Sequence, residues 1–300
     1  MNNTFFSIIQ WKKIVYFILI LFLFKFCFLC GYSFKTTLSF FDLGLLSISS
    51  ALLLASGYLI SFFYRNQQKK SKISIPLEKV KINSSYLLIL GVSVGFILSF
   101  KIHKPWYGLI FILCPIAVIL YSKNNPIKNF FSGIITSFLK PFAVLSLWWF
   151  DFPTNLSPSQ WNLFFKLQMV TMLYVLISFL GNISREIIVD IINTNEDNIH
   201  NQKTLPILLG RKRAKNIALA LSIITWVLIF SIAITFIKNR FIFSTIILLG
   251  NIPQLYYIYL LINASDIKNY KFLYTVNQFI FLLALASIPV VGYYFKHVIE

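Results

Sequence analysis

Long runs of apolar residues alternate along the chain with short polar segments. Each run has about 20 residues, the length with which an α-helix crosses a hydrocarbon layer about 30 Å thick. The runs are continuous and lack the strict polar–apolar alternation of strands in a transmembrane barrel. The nine predicted spans are Ile14–Ser33, Leu43–Tyr64, Ser85–Phe100, Pro105–Tyr121, Phe130–Phe150, Leu163–Ile183, Ile217–Ile237, Phe241–Ile262 and Phe272–Tyr294. The pattern therefore predicts an all-α, polytopic membrane protein with about nine transmembrane helices, forming a single domain over residues 1–300.

The composition excludes a soluble domain. Hydrophobic residues make up 58% of the chain and charged residues only 12%, so too few charges are available to cover a water-exposed surface. The net charge is nevertheless +18. In a membrane protein such an excess suits anionic lipid headgroups or diphosphates, and we expect no nucleic-acid partner.

The positions of the basic residues predict the orientation. With a cytoplasmic N-terminus, 18 of the 27 Lys and Arg residues lie in inner segments and six in outer segments. This bias obeys the positive-inside rule and places the C-terminus outside. Residues 65–84 and 185–215 become cytoplasmic loop regions. We expect a multi-pass protein of the bacterial inner (cell) membrane.

The second of these regions holds a concentration of acids. The chain has nine Asp and Glu residues, and four of them are Glu186, Asp190, Glu196 and Asp197. A helix at about 100° per residue would place four oxygen-bearing side chains on one stripe roughly 60° wide. They are Glu186, Asp190, Asn193 and Asp197. Such a stripe suits a hard cation such as Mg²⁺ together with an anionic ligand.

A simpler interpretation of the same acids remains open. They can lie on a solvated face, or pair with neighbouring cations without binding any ligand. The cations nearest in sequence are Arg185, Lys203 and the run 211–213.

The region 185–210 resembles the second motif of the UbiA superfamily of intramembrane prenyltransferases, above all members that act on geranylgeranylglycerol phosphate. That motif runs approximately R-E-I-x-x-D-x-E-D-x-x-G-D and is followed by T-L-P-x-x-x-G. The matching residues are Arg185, Glu186, Ile187, Asp190, Asp197, Thr204, Leu205, Pro206 and Gly210. Asn193 replaces an acid of the motif, and Glu196 replaces its glycine. Weaker likenesses lie at Trp11-Lys12, at residues 55–58 and at residues 120–123.

The first acidic motif of that family, N-D-x-x-D-x-x-x-D, has no counterpart at its expected place after Gly57-Tyr58. The three acid positions are occupied by Phe62, Arg65 and Lys69. Replacing three carboxylates by these residues changes the local charge by about +5, close to the +4 of two Mg²⁺ ions. Arg65 with Lys69 or Lys70 could therefore clamp an anionic headgroup directly. The alternative is that these cations only obey the positive-inside rule.

The resemblance implies a UbiA-like bundle around a central cavity, in which two motifs hold Mg²⁺ against a prenyl diphosphate. It implies Asp190, Asn193 and Asp197 as metal ligands at a weakened site, and leaves the catalytic residues unassigned. The diphosphate-binding residues it implies are Arg65, Lys69, Lys123, Arg185, Glu186 and Lys203.

Three classes of function follow. The first is transfer of a prenyl group from its diphosphate to a lipid or aromatic acceptor, which the altered first motif makes questionable. The second is a degenerate member that binds a prenyl lipid or a partner enzyme without turnover. The third is a transporter, which is disfavoured because few ionisable residues lie in the spans, namely Lys25, Lys140 and Lys166. The oligomeric state is not predicted.

Overall fold

A computed structural model describes residues 8–32, 34–67, 76–124, 134, 137, 141, 144–199 and 202–297. Its contacts divide the chain into two compact units. Unit 1 comprises Met1–Phe22, Lys35–Pro126 and Leu147–Asn155, and unit 2 comprises Leu23–Phe34, Ile127–Ser146 and Leu156–Glu300.

The described residues form ten α-helices, and residues 144–150 are also helical. The ten are α1 (Trp11–Phe24), α2 (Phe40–Gln67), α3 (Leu77–Lys101), α4 (Leu109–Asn124), α5 (Pro158–Ile199), α6 (Leu205–Leu209), α7 (Arg211–Thr235), α8 (Arg240–Ile246), α9 (Ile252–Asn263) and α10 (Ile267–His297). Two π-helical segments, Lys25–Leu29 and Ile247–Asn251, continue α1 and join α8 to α9. A 3₁₀ turn, Pro105–Gly108, precedes α4.

Six helical segments in the described part are long and apolar enough to span a membrane. They are Phe40–Tyr64, Leu77–Lys101, Pro158–Ile199, Arg211–Thr235, Arg240–Asn263 and Ile267–His297. They confirm that the second, third, sixth, seventh, eighth and ninth predicted spans are helices. The first span is a 14-residue α-helix continued by five π-helical residues, and the fourth is a shorter apolar helix. Most of the fifth, Phe130–Phe150, lies outside the described residues.

Most of the predicted cytoplasmic region 185–215 is helical. Residues 185–199 continue α5 without interruption, and residues 211–215 already belong to α7. Polar side chains lower the hydropathy of these turns, but they do not stop a helix that contains no internal Pro. Within the predicted loop region 65–84, residues 65–67 belong to α2 and residues 77–84 belong to α3.

In unit 1, small residues bring α2 and α3 close together. The Ser49 hydroxyl donates to the Gly91 carbonyl at 2.7 Å. A Cβ atom added to Gly91 would come within 2.9 Å of the Leu53 side chain. Small residues at such a crossing let the backbones of two membrane helices approach each other closely.

The segment that leads into α2 is held by a network of polar contacts in unit 1. Ser39 and Asp42 form a capping box, in which the Asp42 carboxylate accepts from the Ser39 amide at 3.1 Å and the Ser39 hydroxyl accepts from the Asp42 amide at 3.3 Å. Lys101, at the last residue of α3, makes a 2.5 Å ion pair with Asp42. The buried Asp151 carboxylate accepts from the Leu38 amide at 2.8 Å.

In unit 2, α5, α7, α9 and α10 enclose an apolar core that includes Ile188, Ala218 and Leu261. The π-helical segment after α1 packs against α10. A Cβ added to Gly292 would lie 2.7 Å from the Cys27 carbonyl oxygen, so this contact requires glycine. The Tyr32 hydroxyl lies 2.9 Å from the carbonyl oxygens of Cys27 and Gly292 and can donate to either.

Candidate functional site

Helix α5 is too long to be only a membrane span. It has 42 residues, which correspond to about 63 Å at a rise of about 1.5 Å per residue. The hydrocarbon layer is about 30 Å thick. A capping box starts the helix, with the Ser157 amide donating to the Gln160 side chain at 3.0 Å and the Gln160 amide to the Ser157 hydroxyl at 3.4 Å. The C-terminal turns of α5 carry the acidic stripe.

The structure confirms that the stripe is helical. Glu186, Asp190, Asn193 and Asp197 all lie in α5. Asp190 is buried, at 5% exposure, and the other three side chains are partly buried. The Asp190 carbonyl accepts from the Thr194 hydroxyl at 3.0 Å. An acid that folding removes from water near a membrane surface requires compensation by hydrogen bonds, a cation or a metal.

Arg185 is a cation on the same helix, directly before the first residue of this stripe. Its Cζ atom lies 5.4 Å from the centre of the Phe281 ring, and its guanidinium lies 3.9 Å from the Glu186 carboxylate. The Arg185 side chain is 14% exposed. Stacking on an aromatic ring fixes the plane of a guanidinium while leaving its N–H donors available to an oxyanion. The pair Arg185 and Glu186 is therefore a positioned cation with a carboxylate beside it.

The segment after α5 supplies further polar groups. Lys203 is exposed, and Thr204 is fully buried just before α6. The Thr204 hydroxyl has no hydrogen-bond partner in the described residues. Gly210 joins α6 to α7 with φ +86°, a left-handed conformation that favours glycine. The Arg211 guanidinium donates to the Asn195 side chain at 2.7 Å, which ties the start of α7 to the end of α5.

Three of the predicted diphosphate-binding residues cannot be placed. Lys69 lies outside the described residues, and the side chains of Arg65 and Lys123 are likewise not described. Phe62, at the first of the three acid positions predicted for the first motif, packs against the apolar cluster of Ile8, Leu59 and Val80 in unit 1.

The oxygen donors of the stripe fit Mg²⁺ only as part of an open site. Within the described residues, no three His, Cys, Asp or Glu side chains come together as a metal cluster. Asp190, Asn193 and Asp197 offer two carboxylates and one amide oxygen on one helix face. Mg²⁺ is usually bound in this way, by one or two carboxylates with water and substrate phosphates completing its coordination.

Sequence reasoning missed a hydrogen-bonded cluster directly beside Arg185. The Ser184 hydroxyl lies 3.1 Å from the Ser222 hydroxyl and 3.4 Å from the Tyr257 hydroxyl. The Gln254 amide donates to the Ser222 carbonyl at 3.2 Å. These contacts lock α5, α7 and α9 together at the level of Arg185. Single hydroxyls and amides inside apolar runs gave no periodic signal from which this cluster could be predicted.

Comparison with known proteins places this geometry in context. No protein-family model matches the chain. The digeranylgeranylglyceryl phosphate synthase of Methanosphaera stadtmanae is 31% identical over 154 residues, which cover 51% of this chain and 50% of that protein. The match thus spans about half the length of this curated relative.

Solved structures match the fold over nearly the whole chain. A structure of digeranylgeranylglyceryl phosphate synthase in membranes gives a TM-score of 0.70 with 18% identity, covering 97% of this chain and 98% of that one. A UbiA homologue from Archaeoglobus fulgidus, bound to DMAPP and Mg²⁺, gives a TM-score of 0.59 with 13% identity, covering 96% and 100%. The same homologue has also been solved with GPP and Mg²⁺.

The sequence match to a digeranylgeranylglyceryl phosphate synthase and the match in fold both agree with the motif at 185–210. The resemblance predicted from the sequence is therefore confirmed. The chain is an integral, multi-pass membrane protein with a UbiA-like fold, and about half of it is similar in sequence to a digeranylgeranylglyceryl phosphate synthase.

Proposed function

We propose that this protein binds a prenyl diphosphate at the C-terminal turns of α5 and transfers the prenyl group to a lipid acceptor. The observation that carries the proposal is the arrangement on α5 itself. One continuous helix holds a stacked guanidinium, Arg185, and a stripe of carboxylate and amide oxygens beyond it. A cation and a set of metal-type donors on neighbouring turns of one helix are the two features that a diphosphate and its counter-ion need.

The substrate class follows from the relatives. The A. fulgidus homologue binds DMAPP or GPP with Mg²⁺. The M. stadtmanae enzyme is named for a product with two geranylgeranyl groups on glyceryl phosphate. By analogy, the donor here is geranylgeranyl diphosphate, and the acceptor is a glyceryl phosphate lipid that already carries one such group.

In this proposal the residues divide between two roles. Arg185 donates to the diphosphate oxygens, and Glu186 holds the guanidinium in place. Lys203 adds positive charge at the surface. Asp190, Asn193 and Asp197 would hold one Mg²⁺, which when bound neutralises charge on the departing diphosphate.

The reaction breaks the bond between the allylic carbon and the diphosphate oxygen, and the electron pair leaves with the diphosphate. The acceptor hydroxyl forms the new carbon–oxygen bond and releases its proton. Arg185 stabilises the negative charge that develops on the leaving group, since it is already oriented before the charge appears. The Ser184–Ser222–Tyr257 cluster keeps α5 fixed, and we assign no residue as the base.

The first motif supports a second candidate, binding without turnover. We propose that Phe62, Arg65 and Lys69 replace its three acids, and that Arg65, Lys69 and Lys123 supply positive charge to the diphosphate in place of metal. The packing of Phe62 on an apolar cluster favours this candidate, because that position then offers no metal ligand.

The remaining features of the proposal concern topology. We propose nine spans around a central cavity, a single domain, a cytoplasmic N-terminus and a location in the bacterial cell membrane. The excess of Lys and Arg in the inner segments supports this orientation.

The two candidates differ in diphosphate release. Purified protein in detergent would be incubated with labelled geranylgeranyl or farnesyl diphosphate and a glyceryl phosphate lipid acceptor, with and without Mg²⁺. Release of diphosphate only with Mg²⁺ is the expected result for the transferase. Binding without release would support the degenerate member, and failure to bind either diphosphate would refute both.

Matched acid variants locate the metal in the same assay. Asp190→Asn is expected to abolish the effect of Mg²⁺. Asp266→Asn removes an exposed acid between α9 and α10 and is expected to change nothing. An equal response to Mg²⁺ in both variants would exclude Asp190 as a ligand.

The clamp at the first motif has its own test. The double variant Arg65→Gln, Lys69→Gln is expected to weaken binding of geranylgeranyl diphosphate measured without Mg²⁺. Lys268→Gln with Lys271→Gln, at the start of α10, removes the same charge at another basic segment and serves as the control. Equal affinity in the two double variants would mean that Arg65 and Lys69 do not bind the diphosphate and only contribute to the orientation of the protein in the membrane.

A further inference from the structure

Two side-chain amides are buried inside unit 2, away from the acidic stripe. Asn251 is the last residue of the π-helical segment and is 3% exposed, and Asn277 lies within α10 and is 4% exposed. Both amide atoms of Asn251 and the Oδ1 atom of Asn277 lack a hydrogen-bond partner in the part of the chain that the structure describes. The proposed reaction uses neither residue.

The energetic cost of such groups is high in a membrane span. An unsatisfied buried donor or acceptor costs about 1–3 kcal/mol, and no lipid group at this depth can replace the missing bond. Both segments belong to candidate membrane spans. A ligand that satisfies these amides would therefore be strongly favoured.

The donor and acceptor set limits what this ligand can be. The Oδ1 atoms accept hydrogen bonds, and the Nδ2 atom of Asn251 donates one. A metal ion or ammonium could satisfy only the oxygens, and a phosphate or carboxylate could satisfy only the nitrogen. A small neutral molecule that both donates and accepts satisfies both kinds of atom.

Packing puts Asn251 beside the hydrogen-bonded cluster described above. The π-helical segment packs against both α7 and α10. Gln254, less than one turn after Asn251, donates to the Ser222 carbonyl. On α10, Asn277 lies one turn before Phe281, whose ring stacks with Arg185. Each of the two amides therefore lies about one helical turn or less from a residue that contacts the cluster or Arg185.

We propose that Asn251 and Asn277 bind ordered internal water within unit 2, next to the Ser184–Ser222–Tyr257 cluster. Buried water in proteins usually makes about three hydrogen bonds to polar groups of this kind. Asn251 ends a π-helical segment, and such segments occur frequently at functional sites.

Radiolytic hydroxyl-radical labelling of the full chain in lipid nanodiscs tests the proposal, because radicals formed from bound water oxidise residues that bulk radicals cannot reach. The reporter is Tyr257, which is 1% exposed, and Phe164, which is 0% exposed in the same unit, gives the background. Oxidation of Tyr257 is expected to exceed that of Phe164 when water occupies the site.

Variants identify the amides as the ligands. Asn251→Leu and Asn277→Leu are expected to lower Tyr257 labelling to the Phe164 background, whereas Asn251→Ser keeps a hydrogen-bonding group and retains it. Asn263→Leu, which removes an exposed amide of α9, is the matched control. Background labelling of Tyr257 in the unmodified protein would refute the proposal. Full labelling of Tyr257 in Asn277→Leu would also refute the proposal. If Asn251→Leu does not fold, the result for Asn277→Leu alone decides between the two outcomes.

Discussion

Arg185 is the side chain whose replacement tests the candidate site most directly. Changing Arg185 to Gln removes the charge and leaves a shorter, neutral polar side chain. The guanidinium is 14% exposed and stacked on Phe281, so little water would take its place beside a bound diphosphate. We expect the affinity for geranylgeranyl diphosphate to fall.

The size of the effect follows from the contacts. A hydrogen bond to a charged group contributes about 1.5–3 kcal/mol, which corresponds to roughly 10- to 150-fold in affinity. Arg185→Lys keeps the charge but loses the planar fork, and is expected to recover only part of this affinity. Phe281→Leu removes the stacking partner, and a cation–π contact contributes about 0.5–2 kcal/mol, or roughly two- to 30-fold.

The assay is equilibrium binding of labelled geranylgeranyl diphosphate to detergent-purified protein at fixed ionic strength. Lys268→Gln, at the exposed start of α10, controls for a general loss of positive charge. The expected order of affinity is unmodified protein and Lys268→Gln, then Phe281→Leu and Arg185→Lys, then Arg185→Gln. If Arg185→Gln bound within twofold of the control variant, Arg185 would have no part in holding the diphosphate.

Three further predictions concern stability, measured as the thermal unfolding midpoint in detergent. Gly292→Ala places a Cβ 2.7 Å from the Cys27 carbonyl oxygen and should lower the free energy of unfolding by about 1–3 kcal/mol. The control Gly44→Ala meets nothing within 4 Å and should be neutral or stabilising. Equal midpoints for the two variants would refute the tight contact. Asp42→Ala removes a capping box and should lower the free energy of unfolding by about 1 kcal/mol or more. Lys101→Met removes a side chain that is 49% exposed and should lower it by less than about 1 kcal/mol. The reverse order of the two losses would contradict the role of the cap. Gly210→Ala should lower the free energy of unfolding by about 1 kcal/mol, because the φ of Gly210 is +86°. Gly210→Asn should lower it less. Equal losses in the two variants would argue against a left-handed backbone conformation as the requirement.

Hydropathy was sufficient to predict most of the spans. Leu77–Lys101 and Arg211–Thr235 are each 25 residues long and strongly apolar, so length and hydropathy alone indicate a membrane helix. The ends of α5 and α7 were not predictable in this way. Their polar turns have the composition of a loop, and only the spacing of Asp190, Asn193 and Asp197 indicated that the helix continues.

The polar contacts that organise each unit left weaker signals. The Ser39-x-x-Asp42 spacing is that of a capping box and could have been found from the sequence. The contact of Asp151 with the Leu38 amide joins residues far apart in sequence, and no local pattern predicts such a pair. The π-helical segments at Lys25–Leu29 and Ile247–Asn251 depend on tertiary packing and have no sequence signature.

The spacing of the acids on α5 has a consequence for how the proposed site would hold its ion. Asp190 and Asp197 are separated by a rise of about 10.5 Å along the helix, whereas two ligands of one Mg²⁺ lie within about 4 Å of each other. Because each Asp side chain reaches only a few ångströms from the backbone, the two carboxylates fill few of the coordination positions of one ion, and Asn193 adds at most one more. An ion held by these three side chains needs further oxygens, and in the proposed function the diphosphate supplies them. Metal and substrate would then bind cooperatively, and each alone would bind weakly.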